Sequence, residues 1–342
     1  MSFKDIIGQR LAVDLIKKAI QEKRLAHAYL FIGPDGVGKS LLAKVFAKSL
    51  NCERGDAEPC DECVSCRKIE ARNHPDVGWF TYKIREKKSD VNDGWIRPNS
   101  FEPNKKTPQI SINMIRFLQR AMSLKPYESK TKIYVIDGAD NMTEEAANCL
   151  LKTLEEPPKD AVLVLLASNM FRLMPTIISR CQKVTFYPLD EGSVKKELIQ
   201  RYGLDEKKAL CVSRFAEGSL GKAIETLEED AFAKRDKVVD EFVSHKRLGY
   251  EDIWLYEEPR DRVNDILNTL AVYFRDLLVF NLSKSADLLV NLDKADEIAR
   301  NSKDYSVERL EEIIEAIAAT QEQIKRNANI KIALASMRLN IT

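Results

Sequence analysis

A parallel α/β sheet covered on both faces, followed by helical domains, is the fold class predicted by this 342-residue sequence. Two observations carry the prediction. Through the first half, short apolar runs alternate with amphipathic helical patterns, the signature of strands buried between helices. After Pro188 the strand signals fade, and apolar residues then recur only at helical spacing.

Taken in order, Ala28 to Ile32 is a compact apolar run that ends at a glycine-rich stretch, Gly33-Pro34-Asp35-Gly36-Val37-Gly38-Lys39-Ser40. Leu42, Val45, Phe46 and Leu50 then mark a helix from Lys39 to Leu50. Residues 77–109, rich in Gly, Pro, Asn and Asp, are expected to form a long surface insertion with little regular structure. Ile133 to Ile136, Val162 to Ala167 and Lys183 to Tyr187 read as further buried strands. Thr143 to Glu155 reads as a helix, with Glu144 and Glu145 near its start and Pro157-Pro158 stopping it. The organisation expected is a domain over 1–188, a small helical domain over 189–240 with a turn at Gly218-Ser219, and an all-helical domain over 241–342.

Composition excludes several classes of function. With 44% hydrophobic and 31% charged residues, the chain is neither disordered nor fibrous. The net charge of +1 excludes a tail-driven polyelectrolyte, and no basic, aromatic-studded stripe marks a free-standing DNA-binding module. The longest wholly apolar run, Ala161 to Ala167, is far short of the roughly 20 residues that span a bilayer. No signal-peptide core precedes it, so a soluble, cytoplasmic protein without membrane partners is expected.

Gly33-x4-Gly38-Lys39-Ser40 fits the P-loop pattern, in which backbone amides at a helix N-terminus cradle a polyphosphate. Lys39 would reach the β- and γ-phosphates, and the Ser40 hydroxyl would ligate Mg²⁺. Asp137, at the end of the Ile133–Ile136 strand, supplies the acidic residue that such a site needs for Mg²⁺. The next residue is Gly138, which cannot act as a base. Asp140, three residues on, is expected to point elsewhere. Phosphate binding is therefore supported, and hydrolysis is not.

Cys52, Cys60, Cys63 and Cys66 read Cys-x7-Cys-x2-Cys-x2-Cys, a cluster that matches closed, tetrahedral structural zinc. The Cys-x2-Cys-x2-Cys triple also occurs in iron–sulfur ligation, although no Cys-Pro follows and the fourth thiol lies upstream. His27, His74 and His245 share no ligand spacing and are read as surface or turn residues. The Glu155-Glu156 pair at a helix end is read as solvated or capping.

Several segments then occur in a telling order: Phe3-x-Asp-Ile-Ile-Gly-Gln9, the P-loop, the four cysteines, His74-Pro75-Asp76, Ala147-Asn-x-Leu-Leu-Lys-Thr-Leu-Glu-Glu-Pro-Pro158 and Ser179-Arg180-Cys181. Together they resemble the clamp-loader subunits of bacterial DNA polymerase III, which are AAA+ proteins. The resemblance runs from the N-terminus to about Leu189 and continues more weakly through Ala216 to Gly221. It implies an AAA+ core, a helical lid and a helical collar.

It also implies a place in a hetero-oligomeric ring with gamma/tau and delta subunits, acting on a sliding clamp and primed DNA. Motor subunits of the gamma/tau type would carry Asp-Glu where this chain has Asp137-Gly138, and an arginine where it has Gly221. Both departures are similar to the delta-prime type, a stator with little or no ATPase of its own. In the family, the arginine of Ser179-Arg180-Cys181 serves the ATP site of the adjacent subunit, where a guanidinium stabilises charge on the γ-phosphate. The alternatives are a gamma/tau-type motor and an unrelated free-standing P-loop ATPase.

Overall fold

The computed structural model describes residues 1–82, 95–96, 109–228, 231–244, 259–326 and 328–341. It divides into two compact units, Met1–Ser193 with Gly218–Gly221, and Val194–Glu217 with Lys222–Thr342.

The first unit is built on six strands, β1 (Ala28–Ile32), β2 (Val77–Thr81), β3 (Trp95–Ile96), β4 (Lys132–Asp137), β5 (Ala161–Ala167) and β6 (Gln182–Thr185). They form one sheet in the order β3-β2-β4-β5-β1-β6, and every pairing is parallel. Alternation along β1 shows how both faces are filled. Tyr29 and Phe31 join a core with Ile16, Phe46, Trp79 and Val135, while Leu30 and Ile32 join a second core with Ile115, Ile136, Leu150 and Leu165. Helices α1 (Arg10–Gln21), α2 (Lys39–Asn51) and α3 (Val64–Glu70) carry residues of the first core; α4 (Ile112–Ser123), α5 (Glu144–Glu155) and α6 (Pro175–Ile178) carry residues of the second. The doubly wound parallel sheet expected from the sequence is thus present.

The insertion expected over 77–109 begins later than its turn-rich composition suggests. Val77–Thr81 is a buried central strand, paired with β4 from Val77↔Ile133 to Thr81↔Asp137. Gly78 breaks the apolar run because the Tyr134 ring occupies its side-chain space: a Cβ there would lie 2.5 Å from Tyr134 Cδ1. Beyond Tyr82, the remainder of that stretch other than Trp95–Ile96 and Gln109 lies outside the described residues.

The second unit is helical. After α7 (Glu191–Tyr202), which starts in the first unit, come α8 (Glu206–Phe215), α9 (Leu220–Glu228), α10 (Ala231–Ser244), α11 (Arg260–Ser283), α12 (Ala295–Asn301), α13 (Val307–Lys325) and α14 (Ile330–Ile341). Leu267, Phe274, Leu277, Leu310, Ile313 and Ile317 form its core. Asp276 is fully buried there; it accepts the backbone N–H groups of Val290 and Asn291 at 3.0 and 2.7 Å and pairs with Arg275 Nη1 at 2.8 Å. No helix among the described residues is long and apolar enough to cross a membrane.

Candidate functional site

The P-loop links β1 to α2, so the first turn of α2 starts at Lys39 and Ser40 with Gly38 as its N-cap in the left-handed region. Lys39 is buried at 6% exposure, and its ammonium donates to the carbonyls of Gly33 and Pro34 and to Asp35 Oδ1, the last at 3.3 Å. Burial pulls its pKa below the ordinary lysine value, countered by the carboxylates of Asp35, Asp137 and Asp140. The loop turn is held from outside as well. Ser219 Oγ donates to the Asp35 carbonyl at 2.7 Å, and the Gly221 N–H donates to the Gly36 carbonyl at 2.9 Å. Val37 is buried beneath the loop.

Lys39, Asp35, Asp137, Gly138, Asp140 and Tyr82 line one polar cleft at the carboxyl ends of the strands, where ligands bind in open α/β sheets. Gly138 has φ +79°, and a Cβ on it would lie 2.2 Å from the Tyr82 ring. A side chain at position 138 would therefore meet both an unfavourable backbone conformation and the Tyr82 ring. Asp140 does not point away from this cleft, contrary to the expectation from sequence. The left-handed Gly138 turns the chain into a short 3₁₀ segment, Ala139–Asn141, which brings the Asp140 carboxylate back to the cleft wall. Its Oδ2 accepts from Ser168 N, Ser168 Oγ and Asn169 N at 3.3, 3.0 and 3.0 Å.

The four cysteines converge at the far end of α2. Cys52 caps α2, Cys63 caps α3, Cys66 lies within α3 and Cys60 sits on the loop between. Their Sγ atoms all lie within 4.8 Å of one another, with Cys60 and Cys66 4.0 Å apart. Zinc–sulfur bonds of about 2.3 Å in a tetrahedron place sulfurs roughly 3.8 Å apart, so the spacing suits a single ion. Backbone N–H groups of Cys63 and Glu62 pull the Cys60 thiol down to about 6, whereas burial pushes Cys66 up. A bound cation would override that difference by deprotonating its thiol ligands. The cluster could bind zinc. Around it, the loop is anchored by charge: buried Lys48 of α2 donates to Asp61 Oδ1 at 2.6 Å and to Glu70 Oε2.

His74 is buried at 4% exposure, so it is not a surface residue, although it does serve a turn. Its Nδ1 accepts the Asp76 N–H, and its Nε2 lies 3.3 Å from Ser65 Oγ. Asp76 in turn accepts the N–H groups of Tyr127, Glu128 and Ser129 at 2.8, 2.9 and 2.9 Å. The His74-Pro75-Asp76 segment thus fastens the start of β2 to the turn before β4.

Arg180 follows α6, is partly exposed and is not among the residues lining the P-loop cleft. Its Nη1 donates to the Thr176 carbonyl at 3.0 Å and its Nη2 to Glu155 Oε1 at 2.7 Å. Glu155 is half exposed and Glu156 caps α5, as the sequence suggests, and Glu155 also pairs with the arginine. Among the residues around these sites, sequence reasoning passed over Tyr82, Ser168 and Asn169, which carry no motif and reach their places only through folding; Ser219 reads as part of a turn, without its bond to the P-loop.

Residues 8–190 match the family described as "DNA polymerase III, delta subunit", and residues 230–342 match "DNA polymerase III, delta subunit, C terminal". The delta′ subunit of DNA polymerase III from Bacillus subtilis is 31% identical over 331 residues, covering 94% of this chain and 93% of that protein. The tau subunit from the same organism is 27% identical over 354 residues, covering 94% of this chain and 58% of its own length. The tau/gamma subunit of Haemophilus influenzae is 30% identical over 300 residues, covering 86% and 39%. With both halves matched and a relative aligned over nearly its full length, the chain belongs to the DNA polymerase III delta subunit family.

Proposed function

We propose that this chain is the delta-prime-type subunit of a replicative clamp loader, acting as a ring stator and as donor of Arg180 to the ATP site of a neighbouring subunit. Its partners are gamma/tau and delta subunits and, through the complex, the sliding clamp and primed DNA. The observation that carries the non-motor reading is Gly138. A glutamate there would need a left-handed backbone and the space filled by Tyr82, so the chain lacks a water-activating carboxylate at the position motor subunits use.

In this reading, residues 1–188 form the nucleotide-binding domain, 189–240 the lid and 241–342 the collar. The P-loop, Gly33 to Ser40 with Asp137, binds Mg²⁺-ATP without turning it over. Cys52, Cys60, Cys63 and Cys66 hold a structural zinc ion, which stabilises a loop with few apolar residues of its own. Arg180 acts outside its own cleft. Its partly exposed position beside α6 suits contact with a neighbour, and its guanidinium offers paired donors to phosphate oxygens.

The test is a reconstituted clamp loader with wild-type or Arg180→Ala chain at equal stoichiometry. The DNA-stimulated ATPase rate and clamp loading should fall with Arg180→Ala, while assembly and zinc content hold. The effect on the served site can reach roughly 10³–10⁵-fold, diluted by the sites that keep their own arginines. Equal rates would falsify the trans role.

A further inference from the structure

The Asp140 carboxylate is only half satisfied by its surroundings. It is 4% exposed, and Oδ2 takes all three bonds from Ser168 and Asn169. Oδ1 is buried with no hydrogen-bond partner. Holding the 168–169 turn uses one acceptor oxygen, and asparagine also has one, though a weaker one. A second, buried oxygen left without a donor retains its desolvation penalty and needs another explanation.

The charge of the cleft supplies one. Among its described lining residues, three are carboxylates (Asp35, Asp137 and Asp140) and one, Lys39, is a cation. The Lys39 ammonium is already engaged by Gly33, Pro34 and Asp35. A nucleoside triphosphate approaching this wall meets repulsion unless a cation arrives with it. Mg²⁺ is commonly held by one or two carboxylates together with substrate phosphates and its own waters.

We propose that Asp140 is a second acidic group of the cation seat, with Oδ1 receiving Mg²⁺ or its hydration water beside Asp137. The inference rests on the reading that the P-loop takes a nucleoside triphosphate. It makes nucleotide binding by this chain strongly dependent on divalent cations, through a residue outside the P-loop and the strand-end aspartate.

The experiment measures binding of the β,γ-imido analogue of ATP to the full chain, in Mg²⁺ and in excess EDTA. Wild type should bind more tightly in Mg²⁺. Asp140→Asn keeps an acceptor for the 168–169 turn and removes the charge at Oδ1. It should weaken the Mg²⁺ arm by about tenfold or more, the usual scale for losing a metal-site partner. The EDTA arm should stay level or tighten, because one repelling charge has gone. A purely structural role would weaken both arms equally and overturn the proposal, as would an unchanged Mg²⁺ arm. If the asparagine variant does not fold, Asp140→Ser gives the same two-arm comparison. No binding by wild type in either arm also overturns it, while the stator and Arg180 reading remains open to its own assay.

Discussion

Gly221 meets Gly36 backbone to backbone: its N–H donates to the Gly36 carbonyl at 2.9 Å, and a Cβ on it would lie 2.7 Å from Gly36 Cα. The P-loop turn and the start of α9 are therefore in contact because neither residue carries a side chain. Gly221, where the sequence resemblance would place an arginine in a motor subunit, is the residue that permits this approach.

Gly221→Ala sets two effects against each other. Alanine is favoured over glycine in a helix by about 1 kcal/mol. Against this, the new methyl meets backbone rather than a flexible side chain, and overpacking of that kind costs roughly 1–3 kcal/mol. The clash should win, giving a net loss of about 1 kcal/mol. Urea unfolding should show a lower midpoint with an unchanged slope; a raised midpoint would mean that the segment can retreat from the loop at little cost.

Gly138→Glu should not create an ATPase. A non-glycine residue in the left-handed region costs roughly 1–2 kcal/mol, and the Tyr82 ring must also move. The variant should be less stable than wild type, with ATP turnover by the isolated chain remaining at background. Adding Tyr82→Ala should recover part of the stability by freeing the space. Steady-state ATPase in the single variant, abolished by Lys39→Ala, would show that the cleft adapts and would favour a motor-like ancestry for the site.

Asp76→Asn tests the fastening of β2. Burial works to raise the Asp76 carboxyl pKa, but the three backbone N–H groups prevail and hold it below the ordinary carboxylate value. Since the folded carboxyl releases its proton more readily than the unfolded one, the unfolded state binds more protons in acid. Its contribution is present above the ordinary carboxylate pKa near 4 and is lost as pH falls through the lower folded value. Asp76→Asn should cost about 2–3 kcal/mol at pH 7, as charge-assisted bonds are weakened. It should also flatten the acid side of the stability profile. A parallel loss at every pH would assign the effect to packing instead.

Much of this architecture was legible because the signals were local. The strand over 28–32, the helix after the P-loop and the cysteine cluster each depend on residues adjacent in sequence. What escaped was decided by distant partners. Val77–Thr81 looks like a loop from its neighbours, yet the Tyr134 ring explains its glycine. Asp140 returns to the cleft through the unusual backbone at Gly138, and Glu155 acquires its role from an arginine 25 positions away. Periodicity carries no record of such contacts.

Glu155 gives the last prediction, because it separates aiming of Arg180 from mere attachment. The pair is partly exposed, 35% for the arginine side chain and 51% for the glutamate, so its contribution to stability should be below about 1 kcal/mol. Its geometric effect is larger, since Glu155 and the Thr176 carbonyl grip two different nitrogens and fix the guanidinium plane. Glu155→Ala should leave the melting temperature nearly unchanged and lower the DNA-stimulated ATPase of the assembled complex severalfold, less than Arg180→Ala does. Arg180→Lys should also fall short, because an ammonium is a point charge without the planar fork. In the double variant Glu155→Ala/Arg180→Ala, the rate should match that of Arg180→Ala alone, as expected when one residue acts only through the other. A further drop in the double variant would assign Glu155 a function independent of the arginine.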